Sequence, residues 1–433
     1  MISLSMFIEN PTDAKNLLSL LNEHSSIINV YYTKSNTHVC KNSPLVLMVN
    51  VDRKYYIVSF EHPDSTNIPV DFLNLIFKST GTKLIFDRKK LKYHVNEIKN
   101  SHDAMVCSYL SSKLEIDNNY LESKVTDFRS VPIMVLLKHF KKLCSSVGNI
   151  KFEPNLLKYE KEFSHALYDI EKNGMYVENF KLGKQTLVDE NNLVFGQYNM
   201  MTPTGRPSNA FGNVNYAALN KKTGQRDCFT SRFGDDGLLI MVDYESYHLR
   251  LLANFLDYDL PRTSLHEYLG KLYHGKDELN EDEYELSKKI TFNLIYGGIT
   301  DDVKDNVPFM KRISEYVDSV WDFYNTNNYV ETWYYKRKIA SIFFGDKINS
   351  YKVFNYLLQS AETEKNCEVI LKLNKYLEAS KSKMILYTYD AFLFDVHKSE
   401  FKLIKEMQPI ITSNDKYPVR TYMGRNYGDM KQI

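Results

Sequence analysis

The feature that most constrains this chain is a pair of aspartates at the ends of two apolar, strand-like runs. Asp243 ends the run GLLIMVD, and Asp390 follows the run KMILYTY. Runs this short and this apolar are typical of buried strands. Two such strands in one sheet would bring their carboxylates close enough to hold divalent cations, which prefer hard oxygen ligands. The sequence therefore predicts a mixed α/β (α+β) chain in which two distant segments share a sheet.

One segment between the two aspartates has helical periodicity. Tyr284, Lys288, Phe292 and Tyr296 recur at every fourth position and would form one stripe on a helix. A buried amphipathic face is the simplest interpretation of an aromatic stripe, but lysine is rarely buried without a partner. A lysine in this stripe suits a face turned toward phosphate groups. With the paired carboxylates, the stripe favours nucleotidyl transfer, in which two cations activate a primer hydroxyl and neutralise the departing pyrophosphate.

Several segments resemble those of the family A, Pol I-like DNA polymerases, and they occur in the order that this family requires. DYESYHLR resembles the family's DYSxxELR, the helical stripe resembles RxxxKxxxFxxxYG, and Tyr389-Asp390-Ala391 stands where the family has HDE. The resemblance covers roughly residues 155–433 and implies a right-hand polymerase palm and fingers. Further matches lie in TPTGRPSNAFGNVN, RDCF, NYLLQSAETE and MGRNYGD, at Thr204, Gly205, Arg206, Ser208, Asn213, Arg226, Phe229, Asn355 and Gln359.

The resemblance also implies roles for the matched residues. Asp243 and Asp390 would hold two Mg²⁺ ions, and Lys288 would complete the catalytic set by meeting the triphosphate as a point charge. The incoming dNTP would contact Tyr296, Phe292, Lys289, His248, Tyr244 and His266. Primer–template DNA would contact Arg206, Asn213, Arg226, Asn355 and Gln359, some of them in the minor groove, where hydrogen-bond acceptors are similar for all base pairs.

Two departures from the family pattern affect the nucleotide site. Tyr284 stands where the family has the leading arginine of the helix, so one triphosphate contact is absent or comes from elsewhere, with Lys289 as a candidate. The family's glutamate that crowds the 2′ position of the sugar is His248 here, and Glu245 is a nearby acid. The sequence therefore predicts weakened discrimination against ribonucleotides.

A third departure concerns the thumb. Residues 171–179, EKNGMYVEN, resemble the turn that opens the family's polymerase domain, and only about residues 176–203 then remain for a thumb before the TGR segment. The thumb normally grips the duplex backbone, and backbone contacts supply most of the sequence-independent affinity for DNA. We therefore expect weak, salt-sensitive DNA binding, distributive synthesis and an accessory protein that replaces the missing grip.

Residues 1–150 resemble the ribonuclease H-like 3′–5′ exonuclease domain of the same family in a degenerate form. Exonuclease chemistry needs about four carboxylates, of which Asp87 and Asp103 would be two relics. The nearest candidate for the opening strand, PLVLMVNVDRKYYIVSF, offers only Asn50 and Asp52. We therefore expect no proofreading. The expected polymerase domain is 151–433, with the palm at about 155–262 and 346–433 and the fingers at about 263–345.

Composition sets weaker limits on location and source. The formal net charge is +1, so any DNA path must come from local clusters of basic residues. Five cysteines without a CxxC pair fit a reducing cytoplasm, and no signal peptide or membrane-length apolar run is visible. Abundant Tyr, Asn and Lys fit an AT-rich genome, such as that of a phage, which would place the protein in the host cytoplasm.

Two other functions stay open from the sequence. A single-subunit RNA polymerase or primer-making enzyme is favoured by the missing sugar-excluding glutamate, while the DNA-type pattern FNLIYGG and the TGR segment count against it. A catalytically silent DNA-binding scaffold could keep the fold, but the presence of both Asp243 and Asp390 counts against silence. Replication and repair would use the same site.

Overall fold

A computed structural model describes residues 5–111, 124–147, 153–178, 188–212 and 214–433. The chain divides into two units, Met1–Tyr168 and Asp169–Ile433. The predicted boundary near residue 150 lies earlier than this division, because most of the following helix belongs to the first unit. Within that unit the helix contributes Glu160, which pairs with Arg88, and Tyr168, whose hydroxyl donates to the Lys92 carbonyl.

The first unit contains six strands and six helices among the described residues, the last helix continuing to Glu171. The strands are β1 (Ser5–Phe7), β2 (Ser26–Tyr32), β3 (Pro44–Val51), β4 (Lys54–Ser59), β5 (Lys83–Ile85) and β6 (Ser101–Asp103). The helices are α1 (Pro11–Glu23), α2 (Phe72–Lys78), α3 (Arg88–Leu91), α4 (Ala104–Leu110), α5 (Ile133–Val147) and α6 (Pro154–Glu171).

These strands form one mixed sheet in the order β1-β4-β3-β2-β5-β6. Strands β2, β3 and β4 are antiparallel neighbours, whereas β5 pairs in parallel with β2 and with β6. The run PLVLMVNVDRKYYIVSF forms the β3–β4 hairpin and not one strand. Asp52 and Arg53, both with positive φ (49° and 60°), form its two-residue turn, as hairpins with primed turns require.

The second unit contains the predicted strand that carries Asp243 and the predicted hairpin around Asp390. Its described strands are β7 (Met175–Tyr176), β8 (Leu193–Val194), β9 (Tyr198–Asn199), β10 (Ser208–Phe211), β11 (Val214–Asn215), β12 (Gly237–Tyr244), β13 (Tyr329–Glu331), β14 (Lys338–Ala340), β15 (Lys383–Thr388), β16 (Ala391–His397), β17 (Val419–Gly424) and β18 (Lys431–Gln432). Its helices are α7 (Tyr247–Phe255), α8 (Leu265–His274), α9 (Glu281–Gly297), α10 (Asp301–Asn306), α11 (Pro308–Asn327), α12 (Ser350–Tyr376) and α13 (Lys402–Ile411).

A five-stranded antiparallel sheet in the order β15-β16-β12-β17-β18 is the centre of this unit. Leu239, Ile240 and Val242 of β12 are almost completely buried, as expected for the central strand of a covered sheet. Strands β15 and β16 form the predicted hairpin, and its turn is Tyr389-Asp390. Antiparallel pairing thus brings together two segments that lie far apart in the sequence.

Helix α9 contains the predicted aromatic stripe. Asn280 and Glu283 form a reciprocal capping box that fixes where the helix begins. Close packing against α8 holds the helix in place, since a Cβ added at Gly270 would lie 2.4 Å from Oγ of Ser287. The predicted finger region also contains α10, α11 and the β13–β14 hairpin, so it is mostly helical as expected.

The described part of the predicted thumb segment contains no helix. Within residues 188–203 the structure shows the two-residue strands β8 and β9, while residues 179–187 lie outside the described part of the chain. Among the described residues, no helix is both long and apolar enough to span a bilayer.

Candidate active site

The two predicted metal ligands are neighbours at one end of the central sheet. Asp243 in β12 pairs in register with Ala391, the residue that follows Asp390 in the chain. The backbone N–H of Tyr244 donates to the Asp390 carbonyl at 2.9 Å. Both aspartates line one cavity of about 380 Å³, a volume typical of small-molecule sites.

The electrostatics of this pair favour binding of a cation. Burial, followed by the charge of Asp390, raises the pKa of Asp243 to about 7, while Arg420 acts in the opposite direction. The pKa of Asp390 is also raised, first by desolvation and then by the charge of Glu362. Asp390 is exposed at the cavity, so water screens its charge and weakens both effects. Two carboxylates that resist ionising together would gain from a divalent cation between them.

Helix α9 supplies part of the wall of the same cavity. Phe292 and Tyr296 line the cavity and stack with ring centroids 5.9 Å apart. Phe292 is 52% exposed, so a large aromatic face is open to a ligand. The predicted lysine differs, because Lys288 pairs with Glu285 at 2.6 Å, lies over the Tyr284 ring and is not among the residues lining the cavity.

The other residues predicted to contact the nucleotide divide into two groups. His266 and His248 line the cavity, and the Nδ1 atom of His266 is buried without a hydrogen-bond partner among the described residues. Tyr244 also lines the cavity, although it is only 5% exposed and its hydroxyl donates to the Ile411 carbonyl. Lys289 lies exposed on α9.

A buried polar network closes the inner end of the cavity. The Glu362 carboxylate accepts a hydrogen bond from Nε of Arg206 at 2.6 Å and lies 3.2 Å from Nε2 of His248. The other ring nitrogen of His248 lies 2.6 Å from the hydroxyl of Tyr296. The Arg206 guanidinium also lies over the Tyr389 ring, at 4.9 Å from its centroid. These contacts join the TGR segment, α7, α9 and α12 around one carboxylate.

Glu362 is a site residue that the sequence reasoning missed. Burial raises its pKa, but His248 and Arg206 outweigh burial, so the pKa of this carboxyl is lowered overall. A signal was present, because Glu362 follows Asn355 and Gln359 at positions i+7 and i+3 and therefore shares their helical stripe. The same stripe continues to Asn366, whose side chain donates to the Tyr389 carbonyl and to the Tyr387 hydroxyl.

The residues predicted to contact DNA do not form one group. Asn355 donates to the Tyr296 carbonyl at 3.1 Å, and its Oδ1 atom is buried without a hydrogen-bond partner among the described residues. Gln359 lies one turn later on α12 and is half-buried. Arg226 does not line the cavity. Its guanidinium lies over the Tyr427 ring and donates to the Leu219 carbonyl. Asn213 lies outside the described residues.

The carboxylate arrangement fits a cation that keeps most of its ligands from elsewhere. Among the described residues, no group of three or more His, Cys, Asp or Glu side chains is arranged to hold a metal ion. Mg²⁺ commonly takes only one or two protein carboxylates and completes its octahedron with water and substrate phosphates. Asp243 and Asp390 therefore fit a metal that binds together with a phosphate-bearing substrate.

The acids of the first unit are engaged in local structure. Asp103 caps α4 by accepting from the N–H groups of Met105 and Val106, and it also accepts from the N–H of Arg88 at 2.6 Å. Its pKa is raised to about 7, chiefly by burial and next by Glu160. Asp87 pairs with Lys90. Neither carboxylate is directed at a described site that could hold two cations.

The fold is similar to that of a solved polymerase domain over nearly all of both chains. The POL domain of Pol1 from M. smegmatis, in complex with DNA primer-template and dNTP, aligns with a TM-score of 0.70 at 15% sequence identity, covering 98% of this chain and 99% of that chain. This chain has the fold of a Pol1 polymerase domain. No family model matches the sequence.

Curated relatives point in the same direction as the polymerase fold. A DNA polymerase of Bacillus phage SP01 is 23% identical over 330 residues, which are 62% of this chain and 35% of the relative. DNA polymerase I of Deinococcus radiodurans is 22% identical over 262 residues, 53% of this chain and 27% of the relative. DNA polymerase I of Synechocystis sp. is 24% identical over 284 residues, which are 53% of this chain and 28% of the relative.

This chain thus spans about a third or less of the length of these curated relatives. Both kinds of comparison confirm the resemblance to Pol I-like DNA polymerases that the sequence motifs indicated.

Proposed function

We propose that this chain is a template-directed DNA polymerase that adds dNTPs to a primer 3′ end. The observation that carries the proposal is the meeting of Asp243 and Asp390 in a cavity that is also lined by Phe292 and Tyr296 of α9. The relatives named DNA polymerase, and a fold neighbour solved with primer-template and dNTP, support the same function.

Each wall of the cavity would have a separate task. Asp243 and Asp390 would hold two Mg²⁺ ions, which when bound would activate the primer hydroxyl and neutralise charge on the pyrophosphate. The sheet that carries both aspartates is a rigid support, as such a site requires. The open face of Phe292 would stack on the incoming base, because every base has a π-face, and Tyr296 would support the sugar.

The polar atoms without partners fit a bound substrate. Nδ1 of His266 and Oδ1 of Asn355 are buried, and a buried polar atom without a partner is costly. His266 would contact the phosphates of the nucleotide. Asn355 and Gln359 would contact the minor-groove edge of the primer–template end, where donors and acceptors can test base-pair shape without reading sequence.

Primer extension with a labelled duplex tests the proposal. In Mg²⁺ and dNTPs, the full chain should extend the primer, and Asp243→Asn and Asp390→Asn should reduce extension to the detection limit while primer–template binding persists. Asp236→Asn is a matched control, because Asp236 is an exposed carboxylate just before β12, away from the cavity. Extension by either active-site variant at the control's rate would refute the proposal.

The same assay separates the alternative functions. His248 has partners at both ring nitrogens in either tautomer, with Tyr296 at Nδ1 and with Glu362 or Arg206 at Nε2. These partners hold the imidazole in place of the glutamate that the resemblance leads us to expect to crowd the 2′ position of the sugar, so we expect rNTPs to compete with dNTPs. Extension by rNTPs alone would favour an RNA polymerase or primer-making enzyme. DNA binding without any extension would favour a scaffold.

The proposal includes the organisation around the site. The mixed sheet of the first unit supports a ribonuclease H-like domain that has lost proofreading, since Asp87 and Asp103 are used for an ion pair and a helix cap. The short segment at 176–203 would be a reduced thumb, and an accessory protein would supply the grip on the duplex.

A further inference from the structure

Helix α9 lacks one cation that a triphosphate site of this kind would use. At the position one turn before Lys288, where the resemblance leads us to expect arginine, the chain has Tyr284. A tyrosine hydroxyl can donate a single hydrogen bond and carries no charge at neutral pH, so it cannot replace a guanidinium. The candidate suggested by sequence, Lys289, is exposed on another side of the helix.

A guanidinium reaches this position from the sheet. Arg420 of β17 pairs in register with Asp243 of β12, and directly opposed residues of an antiparallel pair point to the same face. Arg420 therefore lies on the face that carries the carboxylate of Asp243. Its Nη2 atom lies 3.1 Å from Oε1 of Glu245, and its side chain is 35% exposed.

The surroundings of Arg420 link it to α9 and to the cavity. Burial lowers the pKa of Arg420, but a hydrogen bond with Tyr284 and the charge of Glu245 raise it overall. The charge of Arg420 in turn lowers the pKa of Asp243 and of His266, in each case as a smaller effect beside burial. Arg420 is not itself among the residues that line the cavity, but it lies opposite Asp243 in the sheet, and its charge acts on two residues that do line it.

We propose that Arg420 supplies the triphosphate contact that Tyr284 cannot make, so that a cation from β17 and Lys288 of α9 together bind the phosphates of the incoming nucleotide. This inference rests on the proposed polymerase function. Each cation is held by one acid, Arg420 by Glu245 and Lys288 by Glu285. Arginine has five N–H donors, so Arg420 keeps donors for phosphate oxygens, which suit its planar fork.

Direct binding of inorganic tripolyphosphate to the full chain tests this role without requiring catalysis. By titration calorimetry in Mg²⁺, Arg420→Ala should weaken binding at least about tenfold, the loss expected for one charge-assisted contact. Arg425→Ala is the matched control, because Arg425 lies just after the same strand but is 80% exposed and pairs with Asp235. Equal affinities of the two variants would overturn the inference.

Two further variants exclude a mere folding defect. Glu245→Gln removes the acid that competes for Arg420, so we expect tighter binding, which a misfolded protein cannot show. Tyr284→Arg in the Arg420→Ala background restores the arginine of the helix and should recover most of the lost affinity. Absence of both effects would assign Arg420 a purely structural role.

Primer extension then separates this inference from the polymerase proposal. If the chain is a polymerase, Arg420→Ala should raise KM for dNTPs more than it lowers kcat, and Tyr284→Arg should reverse that rise. If the chain extends no primer but the tripolyphosphate results hold, the polymerase function fails while the phosphate site stands. A normal KM for Arg420→Ala in an active polymerase would overturn the inference alone.

Discussion

The charge on Glu362 makes one substitution especially informative. His248→Glu restores the acid that the resemblance leads us to expect at this position, but it places a second carboxylate beside a buried one. In the structure, Nε2 of His248 lies 3.2 Å from Oε1 of Glu362, whose side chain is only 2% exposed. Two like charges about 4 Å apart at an effective dielectric constant of about 20 repel by about 4 kcal/mol.

Arg206 reduces this repulsion, because its Nε donates to Glu362 at 2.6 Å and it would attract the new carboxylate too. We therefore expect His248→Glu to lower the free energy of unfolding by about 2–4 kcal/mol. Glu362→Ala alone leaves the guanidinium of Arg206 without its carboxylate and should cost about 1–3 kcal/mol. In the double variant the introduced carboxylate can pair with Arg206, so the loss of stability should be at least about 2 kcal/mol smaller than the sum of the two single losses.

Urea unfolding followed by tryptophan fluorescence measures these energies in the relevant unit, since Trp321 and Trp333, the two tryptophans of the chain, both lie in it. Repulsion between the two acids raises their pKa in the folded state above that in the unfolded chain. The defect of His248→Glu should therefore grow as pH rises from about 5 to about 8. Strict additivity of the two substitutions, or a fully stable His248→Glu protein, would refute the proposed placement of charge around Glu362.

Three other predictions follow from the site and from the organisation of the chain. The folded-state pKa of Asp243 is raised to about 7, so this carboxyl should make the metal-free protein less stable as pH rises from about 4 to 7; Asp243→Asn should make that loss smaller and add up to about 4 kcal/mol at pH 8, measured by urea unfolding. A single-hit primer-extension assay should give short products, and duplex affinity should fall steeply between about 50 and 200 mM salt, whereas long products from the lone chain would contradict a reduced thumb. Incubation of a mismatched primer with Mg²⁺ should leave the 3′ end intact, and metal-dependent shortening would show that the first unit retains exonuclease activity.

Local patterns in the sequence were sufficient to predict the elements that build the site. Apolar runs predicted β12 and the β15–β16 hairpin. The stripe from Tyr284 to Tyr296, with a member at every fourth position, predicted α9. The structure contains all three elements. Gly174, in the turn that follows α6, has a positive φ of 59°, which glycine adopts without strain. These features depend on burial and on local backbone preference, which neighbouring residues determine.

Only the tertiary structure decided which charged groups meet. Arg206 and Glu362 are separated by 156 positions and Glu245 and Arg420 by 175, and no periodicity links such distant residues. Lys288, expected to face the phosphates, pairs with Glu285 on its own helix, and Arg420 emerges beside Asp243 only through the register of β12 with β17. The sequence alone determined where β12, the β15–β16 hairpin, α9 and the two proposed metal ligands would lie in the chain. Which charged side chains lie beside them depended on the packing of α9, α12 and β17, because two charges interact according to their distance in space and not their separation in the sequence.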